Sequence, residues 1–357
     1  MKLFTVGPVE MFEEQMEIGG QQVPYFRNDE FSEVVFDCKE GLKKLVHASS
    51  NDDVIFLTAS GTAAMEASII NCFTDSDKLL VINGGTFGQR FVDLCQIHHI
   101  PYQQIRLDEN ETLTLQHLLP YEQQGFTGLL VNIHETSTGQ LYDIDMLSCF
   151  CQRNEMYFVV DAISSMFADS FDFHKYKVDL AIVSSQKALS LAPGLALVVA
   201  SQRMIEERIH KIDSHVMYLD FKSHLLNGQR GQTPFTPAVR LIYELQNRIH
   251  QLLELGIDNQ VQNTKELALD FRKKLKEIGL EYPKYPLSNA ETVVLFPQMN
   301  ADIVGQRLKK DYGFIINPNG GEKAKKMFRV AHIGHHTLED NDLLIGAMKK
   351  IISDIEK

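Results

Sequence analysis

Cysteine, positive charge and long apolar runs are all scarce in this chain of 357 residues. Its five cysteines, Cys38, Cys72, Cys95, Cys149 and Cys151, are odd in number and scattered through the first half. They do not form the pattern of a disulfide framework, and they predict a reduced, cytoplasmic protein. Without a run of about 18 apolar residues, no segment is suited to span a membrane as a helix. The opening Met1-Lys2-Leu3-Phe4-Thr5-Val6-Gly7-Pro8 has too short an apolar core for a secretory signal. The 35 Lys and Arg fall short of the 47 Asp and Glu, for a net charge of −12. That balance disfavours general nucleic-acid binding and docking on anionic membranes, while an anionic ligand needs only local donors. Repeats and low-complexity segments are missing too, so the length predicts two domains, or one large domain with a satellite.

What is present is an alternation of apolar runs with stretches of helical period, the pattern of an α/β protein with a mostly parallel central sheet flanked by helices. Strands are predicted at residues 54–58, 79–83, 104–107, 128–134, 156–161, 179–184 and 195–200, with helices at 63–72, 88–98 and 145–153 between them. After about Pro237 the character changes. Two amphipathic helices, 241–255 and 263–278, precede a strand at 292–296, a helix at 301–311 and a terminal helix after Thr337. The expected organisation is a large α/β domain over 15–240 and a smaller α+β domain built from 1–14 and 241–357.

Two of the apolar runs stop alike, one at Asp161 and the other just before Lys187, which sits in Ser184-Ser185-Gln186-Lys187-Ala188-Leu189. If both runs are strands of one parallel sheet, their carboxyl ends lie at the edge where ligands bind in open α/β folds, and the two side chains can share a pocket. An amine and a carboxylate so placed suit a lysine Schiff base to pyridoxal phosphate, with the aspartate keeping the pyridine nitrogen protonated. A strand-end ion pair would use the same two residues.

Other turns fall at the same edge. Ala59-Ser60-Gly61-Thr62 opens a helix, where free amides and two hydroxyls form an anion site, or where Ser60 or Thr62 simply serves as an N-cap. Asn83-Gly84-Gly85-Thr86-Phe87-Gly88-Gln89-Arg90 can present Phe87 flat against a ring, although a lone phenylalanine also suits core packing. Glu135-Thr136-Ser137-Thr138-Gly139 brings hydroxyls to a third loop.

The segments SGTAAMEA (60–67), NGGTFGQR (83–90), HETSTG (134–139), VDAISS (160–165) and SSQKALSLAPG (184–194), in this order and spacing, resemble the class V, fold-type I aminotransferases that use pyridoxal phosphate. The alanine–glyoxylate, serine–glyoxylate and 2-aminoethylphosphonate–pyruvate members are the nearest in pattern, and the likeness runs from Gly7-Pro8 to Gly334. It implies a Lys187 aldimine with the cofactor, Asp161 on the pyridinium nitrogen and Phe87 stacked on the ring. It places Ser60, Gly61, Thr62 and Gln186 near the phosphate and Thr136 near the ring oxygen or the substrate. Arg329 matches the arginine that holds the substrate α-carboxylate, a task its planar fork suits. Thr233-Pro234-Phe235-Thr236-Pro237 resembles a segment that reaches the neighbouring subunit's cofactor phosphate, with Thr236 the contact, which implies a homodimer with active sites at the interface. Arg27 is a candidate for a second anionic group on the donor, or a surface ion-pair residue.

The implied activity moves an amino group from a small amino acid or aminophosphonate to a small 2-oxo acid such as pyruvate or glyoxylate. A lyase or decarboxylase on the same cofactor, or a non-catalytic cofactor-binding regulator, are the other readings. Cysteine desulfuration is disfavoured, because no cysteine follows Cys151 to accept the sulfur. His332, His335 and His336 lack a fourth ligand, so no metal is expected. Cys149 and Cys151 point apart at i, i+2 on a helix, and both are expected in the core.

Overall fold

The computed structural model describes residues 1–355. A first strand, β1 (Lys2–Phe4), belongs to a small sheet formed mainly by the end of the chain. The chain then lays down β2 (Asp53–Leu57), β3 (Leu79–Asn83), β4 (Tyr102–Arg106) and β5 (Gly128–Asn132). A short hairpin, β6 (His134–Glu135) with β7 (Gln140–Leu141), precedes β8 (Tyr157–Asp161), β9 (Leu180–Ser184) and β10 (Ala196–Ala200). The large sheet has the order β2-β10-β9-β8-β5-β3-β4. Only β10 runs against its neighbours. The large sheet is mostly parallel and flanked by helices, the α/β architecture that the sequence predicts.

These central strands are apolar from end to end because the sheet is covered on both faces. Alternate residues go to opposite sides. Leu80 and Ile82 of β3 join one core with the helices Asp29–Leu45, Ile144–Arg153 and Val239–Leu255, whereas Leu79 and Val81 join the other with Gly61–Cys72 and Thr86–Ile97. The helix Val239–Leu255 begins where the smaller domain was expected to start. Its buried Ile242, Leu245, Ile249 and Leu252 nevertheless pack into the first core, opposite the helix Asp29–Leu45.

The small sheet joins β1 to β11 (Glu291–Leu295), β12 (Phe314–Pro318) and β13 (Met327–Ala331) in the order β1-β12-β13-β11. Helices Ile257–Glu277 and Leu338–Ile355 cover it, and Phe271, Leu275, Val294, Phe328, Leu344 and Met348 form its core.

Two details depart from the sequence expectation. Cys149 is exposed while Cys151 is buried, since positions two apart on a helix cannot both face inward. The helix Asp29–Leu45 is absent from the expected elements, although Phe31, Val34, Val35, Cys38, Leu42 and Leu45 follow a helical period behind an Asn28 cap. Among the described residues, no helix is long and apolar enough to cross a membrane, and no group of three or more His, Cys, Asp or Glu is arranged to hold a metal ion.

Candidate active site

Six strands of the large sheet end at one edge, at Leu57, Asn83, Arg106, Asn132, Asp161 and Ser184. The register pairs Asn132 with Asp161 and Asp161 with Ile182, so these ends stand side by side. The loops beyond them carry Ser60, Phe87, Thr136 and Lys187. Beside them, a cleft of about 870 Å³ is lined by Phe87 and Arg90 of the helix Thr86–Ile97 and by Val293, Leu295 and Arg329 of the small sheet.

Lys187 does not form the ion pair that the sequence left open. Its ammonium has no hydrogen bond or salt bridge among the described residues, and it lies against the backbone of Gly7, where an added Cβ would come within 2.8 Å of Nζ. A side chain at position 7 would therefore displace the lysine. Burial, assisted by Arg329 and Arg90 and opposed by Glu291 and Asp161, pushes the amine down to about 8. Asp161 is buried and accepts a hydrogen bond from Ile163 N–H at 2.9 Å through Oδ1. Burial pushes its carboxyl up to about 6, against the pull of that bond and of Lys187.

Ser60 precedes the helix Gly61–Cys72 at the N-cap position, yet its side chain caps nothing, and it is exposed. That removes the simple capping explanation for Ser60 and leaves its hydroxyl uncommitted beside a helix N-terminus. Thr62 Oγ1 accepts from Arg90 Nη1 at 2.9 Å, and the Arg90 guanidinium lies 4.9 Å from the Phe87 ring centre. Gln186 is half-buried and accepts from Ser184 Oγ at 2.6 Å. Thr136 is buried, with Oγ1 2.7 Å from Ser164 Oγ. The Arg329 guanidinium donates to Thr136 O at 3.0 Å and Pro318 O at 3.2 Å, while its buried Nε–H has no partner.

Arg27 and Thr236 stand apart from this group. Arg27 Nη1 donates to Thr233 O at 2.7 Å and to Gln232 Oε1 at 3.1 Å, and its guanidinium packs on Phe26. Thr236 is exposed in a shallow groove with Tyr25 and Phe26. Two residues on, Ala238 N–H donates to Thr58 Oγ1 at 2.9 Å, which ties this segment to the turn that carries Ser60.

The sequence reading assigned no task to Glu135, which the structure shows at the centre of the site's support. Its fully buried carboxylate accepts from Gly88 N–H at 3.0 Å, Phe87 N–H at 3.3 Å, Asn132 Nδ2 at 2.9 Å and Ser137 N–H at 3.1 Å. Two of those amides open the helix Thr86–Ile97, so the charge meets the positive end of the helix. Gly85 makes this possible, because a Cβ there would fall 2.6 Å from the Glu135 carboxyl carbon. Glu135→Ala is expected to strand these donors and destabilise the protein by about 3 kcal/mol or more, read as a lower denaturant midpoint. A midpoint unchanged within error would remove Glu135 from this role. Arg90 was legible in principle, being one helical turn after Phe87 and therefore on the same face.

The sequence and the fold have counterparts among known proteins. Residues 20–334 match the family described as aminotransferase class-V. An uncharacterized aminotransferase of Methanocaldococcus jannaschii is 30% identical over 321 residues, covering 86% of this chain and 81% of the relative. The alanine–glyoxylate aminotransferase of Callithrix jacchus is 26% identical over 370 residues, covering 99% and 88%. In structure, the pyridoxamine–pyruvate aminotransferase of Mesorhizobium loti superposes with a TM-score of 0.93 over 100% of this chain and 93% of the other, at 20% identity. A match that spans the large sheet, the cleft and most of the small sheet leaves one assignment: the chain belongs to the class V aminotransferases and is a transaminase.

Proposed function

We propose that the protein transfers an amino group from a small amino acid or aminophosphonate to a small 2-oxo acid such as pyruvate or glyoxylate, using pyridoxal phosphate carried on Lys187. The observation that supports this most is the pairing of Lys187 and Asp161. Asp161 is buried and Lys187 half-buried at one sheet edge, and the lysine amine has no hydrogen-bond or salt-bridge partner among the described residues.

The chain's own groups fit this cofactor. Ser60 has a free hydroxyl at a helix start, where a phosphate is favoured. Gly61 and Thr62 follow it, Gln186 lies next to the lysine, and Arg90 adds positive charge through Thr62. Phe87 is fixed by the Glu135 network and offers a ring face, and Thr136 offers a buried hydroxyl next to Ser164. Asp161 supplies a negative charge that a pyridinium nitrogen would satisfy, which explains why a carboxylate is retained where burial disfavours it. When bound, the cofactor supplies a ring that accepts the electron pair left at the substrate carbon. Lys187, as a neutral amine when released, takes the α-proton from the substrate and returns it on the other side of the transfer. Arg329 orients the substrate carboxylate with the N–H groups its two carbonyl partners leave free.

Two further parts of the reading are quaternary structure and setting. Thr236 would meet the partner's phosphate site in a homodimer, in line with its exposure and with the exposed Met217 and Tyr218 nearby. Arg27 would serve a second anionic substrate group only across such an interface. The five free cysteines suit a cytoplasmic setting.

The test is a panel of amino donors with pyruvate and glyoxylate, followed by the spectral change of the bound cofactor and by product analysis. Conversion by a donor, reversed by a 2-oxo acid, supports the proposal. Loss of carbon dioxide or elimination without amino transfer would replace it with a lyase. Arg329→Ala is expected to lower kcat/KM for α-carboxylate donors by roughly 10²–10³-fold, from lost charge-assisted hydrogen bonds. A donor that lacks the carboxylate should react in its half-reaction at nearly the wild-type rate; equal losses for both would assign Arg329 to the fold.

A further inference from the structure

The proposed reaction leaves Lys187 free of the cofactor for half of each cycle, and the inference made here rests on that reading. During that interval the amine has to stay in the cleft. Asp161 is assigned to the ring and Arg329 to the substrate, but a second carboxylate is close by. Glu291, at the start of β11, is completely buried, and neither of its carboxylate oxygens accepts a hydrogen bond among the described residues. The imidazole of His134 in the hairpin lies beside it, with Nε2 3.3 Å from Oε1. Nothing else in the proposed function uses it. A buried carboxylate is costly unless cations answer it; one is the buried Arg272 of the helix Ile257–Glu277, which donates to Glu291 O at 2.9 Å and feels the pull of its carboxylate, and the other is Lys187.

Strand geometry turns Glu291 toward the lysine. Arg329 is the cross-strand partner of both Val293 and Asn317, so these three side chains share one face of the small sheet. Glu291 is two residues before Val293 and therefore lies on that face too. At the other end of the row, Asn317 Oδ1 accepts from Val6 N–H at 3.0 Å, and the next residue, Gly7, rests against the lysine Nζ. Among the charges that act on the ammonium, Glu291 exerts the strongest attraction, ahead of Asp161 on β8. Arg329 on β13 and Arg90 on the helix Thr86–Ile97 oppose it. His134 stands behind Glu291, with Asp169 beyond it.

We propose that Glu291, braced by His134, is a positioning residue for Lys187, holding the released lysine at the sheet edge beside Asp161.

Two measurements on the full chain test this. In the cofactor-loaded protein, the pH at which the visible band of the lysine-bound cofactor titrates should move down by about one unit in Glu291→Gln. In the cofactor-free protein, limited reductive methylation at pH 7 with formaldehyde and cyanoborohydride, read at the Lys187 peptide by mass spectrometry, should rise by about fivefold, because more of the amine is neutral. His134→Gln removes the same contact but keeps the carboxylate, so its labelling should stay at or below the wild-type level. A rise in both variants would mark a merely loosened lysine and overturn the proposal, as would wild-type behaviour of Glu291→Gln in either measurement. Lys187→Ala keeps the two claims separate. If it retains the visible band, the cofactor reading fails; if it loses the band while Glu291→Gln titrates like wild type, only the role of Glu291 fails.

Discussion

Lys187→Ala is expected to lose the visible band of the lysine-linked cofactor and to lower turnover by at least about 10⁴-fold. A positioned general base contributes roughly 10²–10⁴-fold by itself, and the covalent link that the same side chain makes is lost with it. The remaining groups, Ser60, Phe87, Thr136 and Asp161, belong to other elements and do not lean on the lysine. The variant should therefore fold and still hold the cofactor without the covalent link. A small external amine should restore part of the rate. The cofactor-free variant should also be more stable than the wild type near neutrality. The folded amine is pushed down to about 8 from an ordinary value of 10.5, so its contribution to stability is present above pH 10.5 and is lost as the pH falls through 8. Turnover within tenfold of wild type, or a lower melting temperature for the cofactor-free variant, would contradict this account.

Asp161→Asn is expected to separate activity from stability in the opposite directions. Turnover should fall by roughly 10²–10³-fold, the scale for removing one preorganised charge from an active site. The cofactor-free protein should become more stable at pH 7.5 by about 3 kcal/mol, the equivalent of moving a carboxyl from 3.8 up to about 6. The sign follows from the raised value: the contribution is present below pH 4 and is lost as the pH rises through 6. The melting-temperature gap between variant and wild type should thus widen between pH 4 and pH 7. Asp179, also buried and pushed up to about 6, is present in both proteins and cancels. Cofactor binding should stabilise the wild type more than the variant. A gap that stays constant with pH would mean that Asp161 carries no burial strain.

The fold was legible wherever a segment's environment was uniform. β3, β5, β8, β9 and β10 are buried along their whole length, and continuous apolar runs announce that directly. β12 and β13 were harder. Their half-buried residues, such as Phe314 and Met327, serve a thin sheet with one open face, so neither run stands out. The helix Val239–Leu255 shows a different limit. Its amphipathic pattern fixed that it is a helix, but a pattern of that kind does not say which core receives the apolar face.

The sequence by itself determined the strand ends, the turns that follow them, the lysine and the aspartate, because each is a local feature: a run, a breaker, a reactive group. It also determined the family, through five short segments in order. Only the tertiary structure decided that Lys187 has no ion-pair partner among the described residues and lies under Gly7, that Ser60 caps nothing, and that Glu135 braces Phe87 from 48 residues away. It alone brought Glu291 and His134 together across 157 residues of chain. Burial, and the electrostatics that burial creates, depend on what the rest of the chain packs against a group, and no stretch of sequence carries that information on its own.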